Sequence, residues 1–270
     1  MNTAAQKFFY RGSEKEITEH AAALIISEAY RAVNDHGRFS LVLAGGNSPR
    51  SLYRQLARGV ARNTLKHYQL QFPMHDGTNS KEEIMLMPWE KTWLFWGDER
   101  CVPVNHPDSN YGMAMGTLFS QLHIDDEHIF RMPAEKDDEN EAAREYEETI
   151  RTFLMTWNSL STKNFPIFDL VILGLGEDGH TASLFADNIK TLQEKKRWVV
   201  AVNEPHANPP GKRLTLTLPV INHARNVLFF TMGKEKAKLA EKIFHEEKKT
   251  LPAGLVEPLN GKTFWFTTQL

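Results

Sequence analysis

The stretch IFDLVILGLGEDGHTASLF, residues 167–185, determines the fold that we expect for this chain. It begins with a predominantly apolar stretch, Ile167 to Leu173, which is typical of a parallel strand buried on both faces. A glycine-rich turn follows and leads to His180, which we expect at the start of a helix. Asp178 and His180 would then lie at the carboxyl end of a parallel strand, where open α/β sheets bind their ligands.

Apolar strands and amphipathic helices alternate along the rest of the chain. The other predicted strands are 39–44, 92–96, 197–203, 214–218, 226–230 and 262–268. The predicted helices span about 13–34 (closed by Gly37), 109–122, 139–157 and 234–247. This order predicts an α/β fold with a doubly wound, mainly parallel sheet and helices on both faces, a Rossmann-like three-layer α/β/α architecture.

The size of the chain fits one large α/β domain. It has 270 residues, of which 41% are hydrophobic, and that is enough for a substantial core. We see no linker that would divide it, so we expect a single domain over residues 1–270. The segment at about 63–88 is polar and irregular, and it predicts a long loop or an insertion.

Composition and charge exclude several classes of function. The net charge of −2 gives no electrostatic footprint for nucleic acid, and no apolar run approaches the length of a membrane span. The single cysteine, Cys101, excludes an internal disulfide and fits a reducing compartment, and its neighbours do not mark it as a nucleophile. We therefore expect a cytoplasmic protein without membrane contact, and the sequence leaves its oligomeric state open.

The turn after the strand at 39–44 reads GGNSPR and is a candidate phosphate cradle. Its glycines let backbone N–H groups approach an anion, and a helix begun by Ser48 as N-cap and Pro49 would point its positive end there. The candidate binding residues are Gly45, Gly46, Asn47, Ser48 and Arg50. An ordinary turn before a helix is the alternative. A nucleophile elbow is excluded, because Arg50 stands where its last glycine would be.

Two further turns carry charge. Asp98, Glu99 and Arg100 follow the apolar strand at 92–96, and three charges cannot all enter the core unpaired. Some must face the ligand edge, or an Asp–Arg salt bridge closes the loop. Lys212 and Arg213 follow a Pro-Pro-Gly loop, and adjacent cations suit a phosphomonoester, although a solvated loop is the alternative.

The glycines at 174, 176 and 179 also fit the dinucleotide fingerprint G-x-G-x-x-G, with a strand and a predicted helix on either side. A nicotinamide site is therefore a competing interpretation. It is disfavoured because Glu177 and Asp178 would repel a pyrophosphate, and because His180 has no role in such a site. No metal-binding motif is present: there is no HExxH and no pair of cysteines.

Taken together, these motifs resemble the 6-phosphogluconolactonase family of the glucosamine-6-phosphate isomerase/6-phosphogluconolactonase superfamily. The resemblance covers nearly the whole chain, and it is carried by the segments 41–53, 94–114, 130–135, 169–185, 212–230 and 259–266. The segment at 63–88 departs from the family's usual short connection. The resemblance implies hydrolysis of 6-phospho-D-glucono-1,5-lactone without a cofactor.

The resemblance also implies roles for individual residues. His180 would activate water, Asp178 or Asp98 would orient its imidazole, and Arg100 would stabilise developing charge or the phosphate. The GGNS turn with Arg50, Lys212 and Arg213 would hold the sugar and its phosphate. Histidine suits the chemistry, because a lactone needs a general base whose pKa lies near the operating pH.

Two alternatives use a related sheet. The glucosamine-6-phosphate deaminase/isomerase family carries a further acid shortly after the histidine, whereas residues 181–185 here contain none. A non-catalytic sugar-phosphate sensor would be expected to carry a DNA-binding segment, and neither a helix-turn-helix nor a basic face is visible. Both alternatives are therefore disfavoured.

Overall fold

The structure is a computed structural model that describes residues 6–71, 84–157 and 165–269. Its strands are β1 (Gln6–Gly12), β2 (Phe39–Leu43), β3 (Val60–Ala61), β4 (Ile84–Met85), β5 (Thr92–Trp96), β6 (Asp98–Arg100), β7 (Ile129–Phe130), β8 (Leu170–Leu173), β9 (Val199–Glu204), β10 (Gly211–Leu216), β11 (Asn226–Thr231) and β12 (Lys262–Thr268). Its α-helices are α1 (Glu14–His36), α2 (Pro49–Arg58), α3 (Arg62–His67), α4 (Asn110–Thr117), α5 (Glu139–Thr156), α6 (Ile189–Leu192), α7 (Leu218–Asn222) and α8 (Lys234–Phe244).

A seven-stranded parallel sheet in the order β1-β12-β11-β8-β2-β5-β7 forms the centre of the molecule. Every residue of β2, β8 and β11 is buried, as the continuous apolar runs predicted. The α/β prediction of a mainly parallel sheet in a three-layer arrangement is confirmed. The prediction of one domain over residues 1–270 stays a prediction; one connected hydrophobic core joins buried side chains from Ile17 to Phe266.

The first helix follows its predicted boundaries closely. Ser13 and Glu16 form a reciprocal capping box at the start of α1, and Gly37 ends the helix in the left-handed conformation with φ +82°. The strand β1 before this helix was not predicted. It pairs in parallel with β12, with Phe8 opposite Phe264 in the register.

Two buried tyrosines fix the ends of the strands that lead to the ligand edge. The Tyr53 hydroxyl donates to the Ala44 carbonyl at 2.7 Å and accepts from the Ala44 N–H at 2.8 Å, immediately after β2. The Tyr146 hydroxyl makes the same pair of bonds with the backbone of Trp96, at the end of β5. Because these backbone groups are buried and satisfied, the two turns that follow have fixed starting points.

Two predictions about local structure are wrong, and the described parts of a third segment are more regular than predicted. The GDER segment is a strand and not a turn, since β6 pairs antiparallel with β10 in a second sheet of order β6-β10-β9. The segment 63–88 is partly regular, because it contains most of α3, and β4 pairs with β3; residues 72–83 lie outside the described residues. No helix begins at His180, and the chain from 174 to 188 forms turns with an isolated bridge between Thr181 and Leu184.

Candidate active site

A cavity of about 620 Å³ opens at the carboxyl ends of β2, β5 and β8. It is lined by the segments 44–50, 97–98, 107–110, 172–178, 180–182 and 206–209, together with Arg100, Met113, Phe185, Arg213 and Lys236. The turns that the sequence predicted at one edge of the sheet therefore surround a single cavity. This agrees with the rule that open α/β sheets bind ligands at the carboxyl ends of their strands.

Nearly all predicted site residues line this cavity. They are Gly45, Gly46, Asn47, Ser48, Arg50, Asp98, Arg100, Asp178, His180 and Arg213. Lys212 is not among the lining residues. Its ammonium lies 3.0 Å from Oε1 of Glu139 on α5. The separation follows from the alternation of a strand, because both residues belong to β10 and successive side chains point to opposite faces.

His180 and Asp178 form a hydrogen-bonded pair at the cavity wall. His180 Nδ1 lies 2.5 Å from Asp178 Oδ1, and the His180 backbone N–H donates to the same oxygen at 3.2 Å. Burial alone would raise the pKa of Asp178, but these bonds from His180 outweigh it and the pKa lies below its usual value. An ionised carboxylate only accepts, so Nδ1 carries the hydrogen, and in the neutral form of the imidazole Nε2 has a free lone pair.

The glycines of this loop make room for the imidazole. A Cβ on Gly176 would lie 2.2 Å from His180 Nδ1, so only glycine fits beneath the ring. The Gly176 N–H donates to the His180 carbonyl at 2.9 Å, and Gly179 has φ +84°. Because no helix follows, the loop lacks the helix N-terminus that a dinucleotide fingerprint needs, and the nicotinamide interpretation loses its structural context.

Asp98 lies deeper in the same cavity and is 7% exposed. Its Oδ2 accepts from the Ser183 hydroxyl at 2.6 Å, and its Oδ1 accepts from Asn110 Nδ2 at 3.1 Å. Of the two candidate partners for the imidazole, Asp178 is the one in contact with it. Among the described residues no ion pair joins Asp98 to Arg100, so the interpretation of a local Asp–Arg salt bridge is wrong.

Glu99 is buried behind the cavity, where it fixes the start of α4. Its carboxylate accepts from the backbone N–H groups of Arg100, Asn110 and Tyr111 at 2.7–2.8 Å and from the Ser109 hydroxyl at 3.2 Å. Burial raises the pKa of Glu99, and the three backbone bonds oppose that rise. The carboxylate therefore joins β6 to the helix that carries Asn110, and Glu99 is not among the residues that line the cavity.

Arg100 and Arg213 are two of the four Lys and Arg side chains that line the cavity, with Arg50 and Lys236. Arg213 is 3% exposed, and its Nη2 donates to the Pro209 carbonyl. Arg100 donates from Nη1 to the Asp108 carbonyl at 2.5 Å. The Nε atoms of both arginines are buried without a hydrogen-bond partner. Burial lowers the pKa of Arg213, and the charge of Asp98 opposes this shift, so the guanidinium remains a cation suited to an anionic ligand.

The GGNS turn differs in one respect from its prediction. Ser48 occupies the N-cap position of α2, but its backbone is helical (φ −57°, ψ −44°) and its side chain makes no capping bond. Gly46 has φ +85°, which requires glycine, and Arg50 Nε donates to Asn47 Oδ1 at 3.3 Å. The hydroxyl of Ser48 is therefore not committed to its own helix.

Sequence reasoning missed four residues at the cavity and its wall. Asn110, His206 and Lys236 line it, and Ser183 lies beneath it. Lys236 belongs to the predicted helix 234–247, in which it is one of several charged residues and carries no ligand-site signal of its own. Ser183 was assigned to a helix that does not exist. The position of His206 could not be read from the strand and helix pattern, because it lies in the loop between β9 and β10.

Within the described residues, no group of three or more His, Cys, Asp or Glu side chains is arranged to hold a metal ion. Likewise, no helix in the described parts of the chain has the length and hydrophobicity needed to cross a membrane.

The fold and the cavity together define a class: α/β proteins that bind an anionic small molecule beside a histidine–aspartate pair at the carboxyl edge of a parallel sheet. The family model described as glucosamine-6-phosphate isomerases/6-phosphogluconolactonase matches residues 12–265. The chain belongs to this family.

Individual relatives agree with this assignment. The chain is similar to a 6-phosphogluconolactonase of Synechocystis, with 34% identity over 94% of this chain and 91% of the relative. It is also similar to the human 6-phosphogluconolactonase, with 35% identity over 94% of this chain and 88% of the relative. Among solved structures, a 6-phosphogluconolactonase of Thermotoga maritima superposes with a TM-score of 0.75 at 26% identity, covering 98% of this chain and 100% of that one.

Proposed function

We propose that this protein hydrolyses 6-phospho-D-glucono-1,5-lactone to 6-phospho-D-gluconate, a step of the oxidative pentose phosphate pathway, with a water molecule that His180 activates. The names of its relatives support the reaction. The observation that carries the mechanism is one cavity that contains both the His180–Asp178 pair and the two arginines, Arg100 and Arg213.

His180 acts first as a base and then as an acid. Its free Nε2 takes a proton from water while the water oxygen bonds to the lactone carbonyl carbon. When the bond from that carbon to the ring oxygen breaks, the imidazolium returns the proton to the ring oxygen. Asp178 keeps the hydrogen on Nδ1 and stabilises the imidazolium between the two steps.

The arginines anchor the substrate at a distance from the reacting carbon. Two cations on neighbouring strands suit the doubly charged phosphate, and binding energy gained there positions the ring for attack. The glycines of the GGNS turn and Lys236 provide further backbone and side-chain donors around the same cavity. Lys212 is not part of this proposal, because it pairs with Glu139.

The test compares His180→Ala with His36→Ala in a lactone hydrolysis assay corrected for the spontaneous reaction. His36 is a matched control, because its Nε2 lies 3.0 Å from Asp169 and both histidine side chains are 26% exposed. We expect kcat to fall about 10²–10⁴-fold for His180→Ala alone. Equal kcat values for wild type and His180→Ala would overturn the mechanism.

A second assay tests the reaction itself. Residues 181–185 contain no acid that could assist opening of an amino sugar, so we expect no ammonia release from glucosamine 6-phosphate. Ammonia release without lactone hydrolysis would replace the proposal with deaminase chemistry, and binding without either reaction would indicate a sensor.

A further inference from the structure

We infer that Ser183 is a positioning residue that fixes the loop of His180 against the two strands of the arginines. The inference rests on the proposed role of His180. Ser183 is fully buried, and its hydroxyl donates to Asp98 Oδ2 at 2.6 Å. Its backbone N–H donates to the Thr215 hydroxyl at 3.2 Å. A single residue of the loop thus contacts both β6 and β10.

The register of these strands shows why the contact matters. Arg213 lies opposite Arg100, and Thr215 lies opposite Asp98, in the same antiparallel ladder. Residues two apart on a strand share a face, so Asp98 and Thr215 lie on the face of the two arginines, about 7 Å further along the strands. Ser183 therefore bonds to Asp98 and Thr215, the cross-strand pair next to Arg100 and Arg213 on the same face of the ladder.

The histidine loop needs such an attachment because it is not a helix. Its internal bonds, from the Thr181 hydroxyl to the Gly174 carbonyl and from the Leu184 N–H to the Thr181 carbonyl, hold its shape. Neither bond reaches β6 or β10. Ala182 has φ +48°, an unfavourable conformation for alanine that the surrounding structure must hold. The contacts of Ser183 supply that constraint and set the distance from His180 to the arginines.

Asp98 is held from its other side as well. Asn110 Nδ2 donates both to the Asp98 carbonyl at 2.8 Å and to its carboxylate at 3.1 Å. Asn110 in turn packs on Gly45, where a Cβ would lie 1.8 Å from Asn110 Oδ1. The carboxylate that receives the Ser183 hydroxyl is thus oriented before the loop reaches it. The GGNS turn and the histidine loop are connected through this one carboxylate.

The experiment compares Ser183→Ala with Ser40→Ala. Ser40 is a matched control, because it is 2% exposed and donates to the buried Asp169 carboxylate at 2.8 Å, at the amino end of β2 away from the cavity. Ser183→Ala loses one buried serine–aspartate hydrogen bond, and Ser40→Ala loses two, because the Ser40 hydroxyl also accepts from the Asp169 N–H at 2.9 Å, so both variants should melt at a lower temperature. Only Ser183→Ala should lose kcat, by about tenfold or more, because a small misplacement of a catalytic group is costly.

Measuring kcat and KM separately distinguishes a positioning role of Ser183 from a general destabilisation of the fold. In Ser183→Ala the arginines are untouched, so KM and the dissociation constant for 6-phosphogluconate should stay within about twofold of wild type. The inference is overturned if kcat of Ser183→Ala equals that of Ser40→Ala, or if only KM changes. The kcat of His180→Ala is measured in parallel. If His180→Ala is as active as wild type, the proposed mechanism has failed. If kcat falls in His180→Ala but not in Ser183→Ala, only the role of Ser183 is refuted.

A second pair of variants applies if Ser183→Ala does not fold. Thr215→Val removes the acceptor of the Ser183 N–H with little change of volume, and Thr215→Ser keeps it. We expect kcat to fall several-fold in Thr215→Val and to recover in Thr215→Ser. Equal kcat values for these two variants would overturn the inference.

Discussion

Arg100 and Arg213 lie directly opposite each other on β6 and β10, two neighbouring antiparallel strands. Like charges in this arrangement are destabilising, and here neither Nε has a hydrogen-bond partner. Their remaining described bonds go to backbone carbonyls, of Asp108 and Pro209. The pair is therefore maintained at a cost to stability, which an anion placed between the two guanidinium groups would offset.

Replacing Arg213 by Met should raise KM about 10–100-fold, which corresponds to the loss of a charged hydrogen bond of about 1.5–3 kcal/mol. Lys212→Met is the matched control, because Lys212 is adjacent in the chain but pairs with Glu139 on another side. It should leave KM within about twofold. Steady-state kinetics check both values, and an equal rise in KM for the two variants would contradict the assignment.

The melting temperature of Arg213→Met provides a second test of the role of Arg213. Without ligand, Arg213→Met should melt no lower than wild type, because an apolar side chain of similar length replaces a buried cation that forms no direct ion pair in the described part of the chain. Phosphate should raise the melting temperature of wild type more than that of the variant. A large loss of stability in the variant without phosphate would show that Arg213 is structural.

The sequence was sufficient to predict the parallel sheet and the edge of the sheet at which a ligand would bind. Strands such as β2 and β8 are predominantly apolar and lead into glycine-containing turns, and this pattern is typical of buried parallel strands. The edge rule then placed Gly45, Asp98 and His180 together without any knowledge of side-chain contacts.

Tertiary contacts decided what the sequence could not. The helix predicted after His180 does not form, and Ser183 instead bonds to Asp98, a residue 85 positions away. The helix propensities of the residues after His180 carry no information about a partner so distant in the chain. Lys212 and Arg213 were treated as equivalent because the strand was predicted to begin at 214. It begins at Gly211, so the two side chains point to opposite faces.

Asp178→Asn should lower kcat about 10–10³-fold with a smaller change in KM, because the amide no longer fixes the hydrogen on His180 Nδ1. The pKa of Asp178 lies below its usual value, so the wild-type carboxylate is ionised above about pH 4. The ratio of the wild-type kcat to the Asp178→Asn kcat should therefore be nearly constant from about pH 5 upward. A pH–rate profile checks this, and recovery of kcat at alkaline pH would contradict it.

Gly45→Ala should lower activity and stability together. A Cβ at this position would lie 1.8 Å from Asn110 Oδ1, so Asn110 must leave Asp98. Gly116→Ala is the control, because Gly116 is an exposed residue of α4 where an added Cβ would meet nothing within 4 Å. That substitution should stabilise the helix by about 0.5–1 kcal/mol. Thermal melts and kcat/KM measure both effects, and a harmless Gly45→Ala would refute the packing argument.

His20 should make the stability of the protein depend on pH. Burial, and secondarily the charge of His67, lowers the pKa of His20 to about 4, and its ring stacks on Tyr68 at 3.7 Å. The unfolded chain takes up a proton near pH 6.5, whereas the folded chain does so only near pH 4, so stability should fall as the pH drops between these values. His20→Phe keeps an aromatic ring and removes the titration, so its melting temperature should fall less over this range. His123→Phe, at a side chain that is 96% exposed, should keep the wild-type slope. Identical slopes for all three proteins would show that His20 does not titrate in this way.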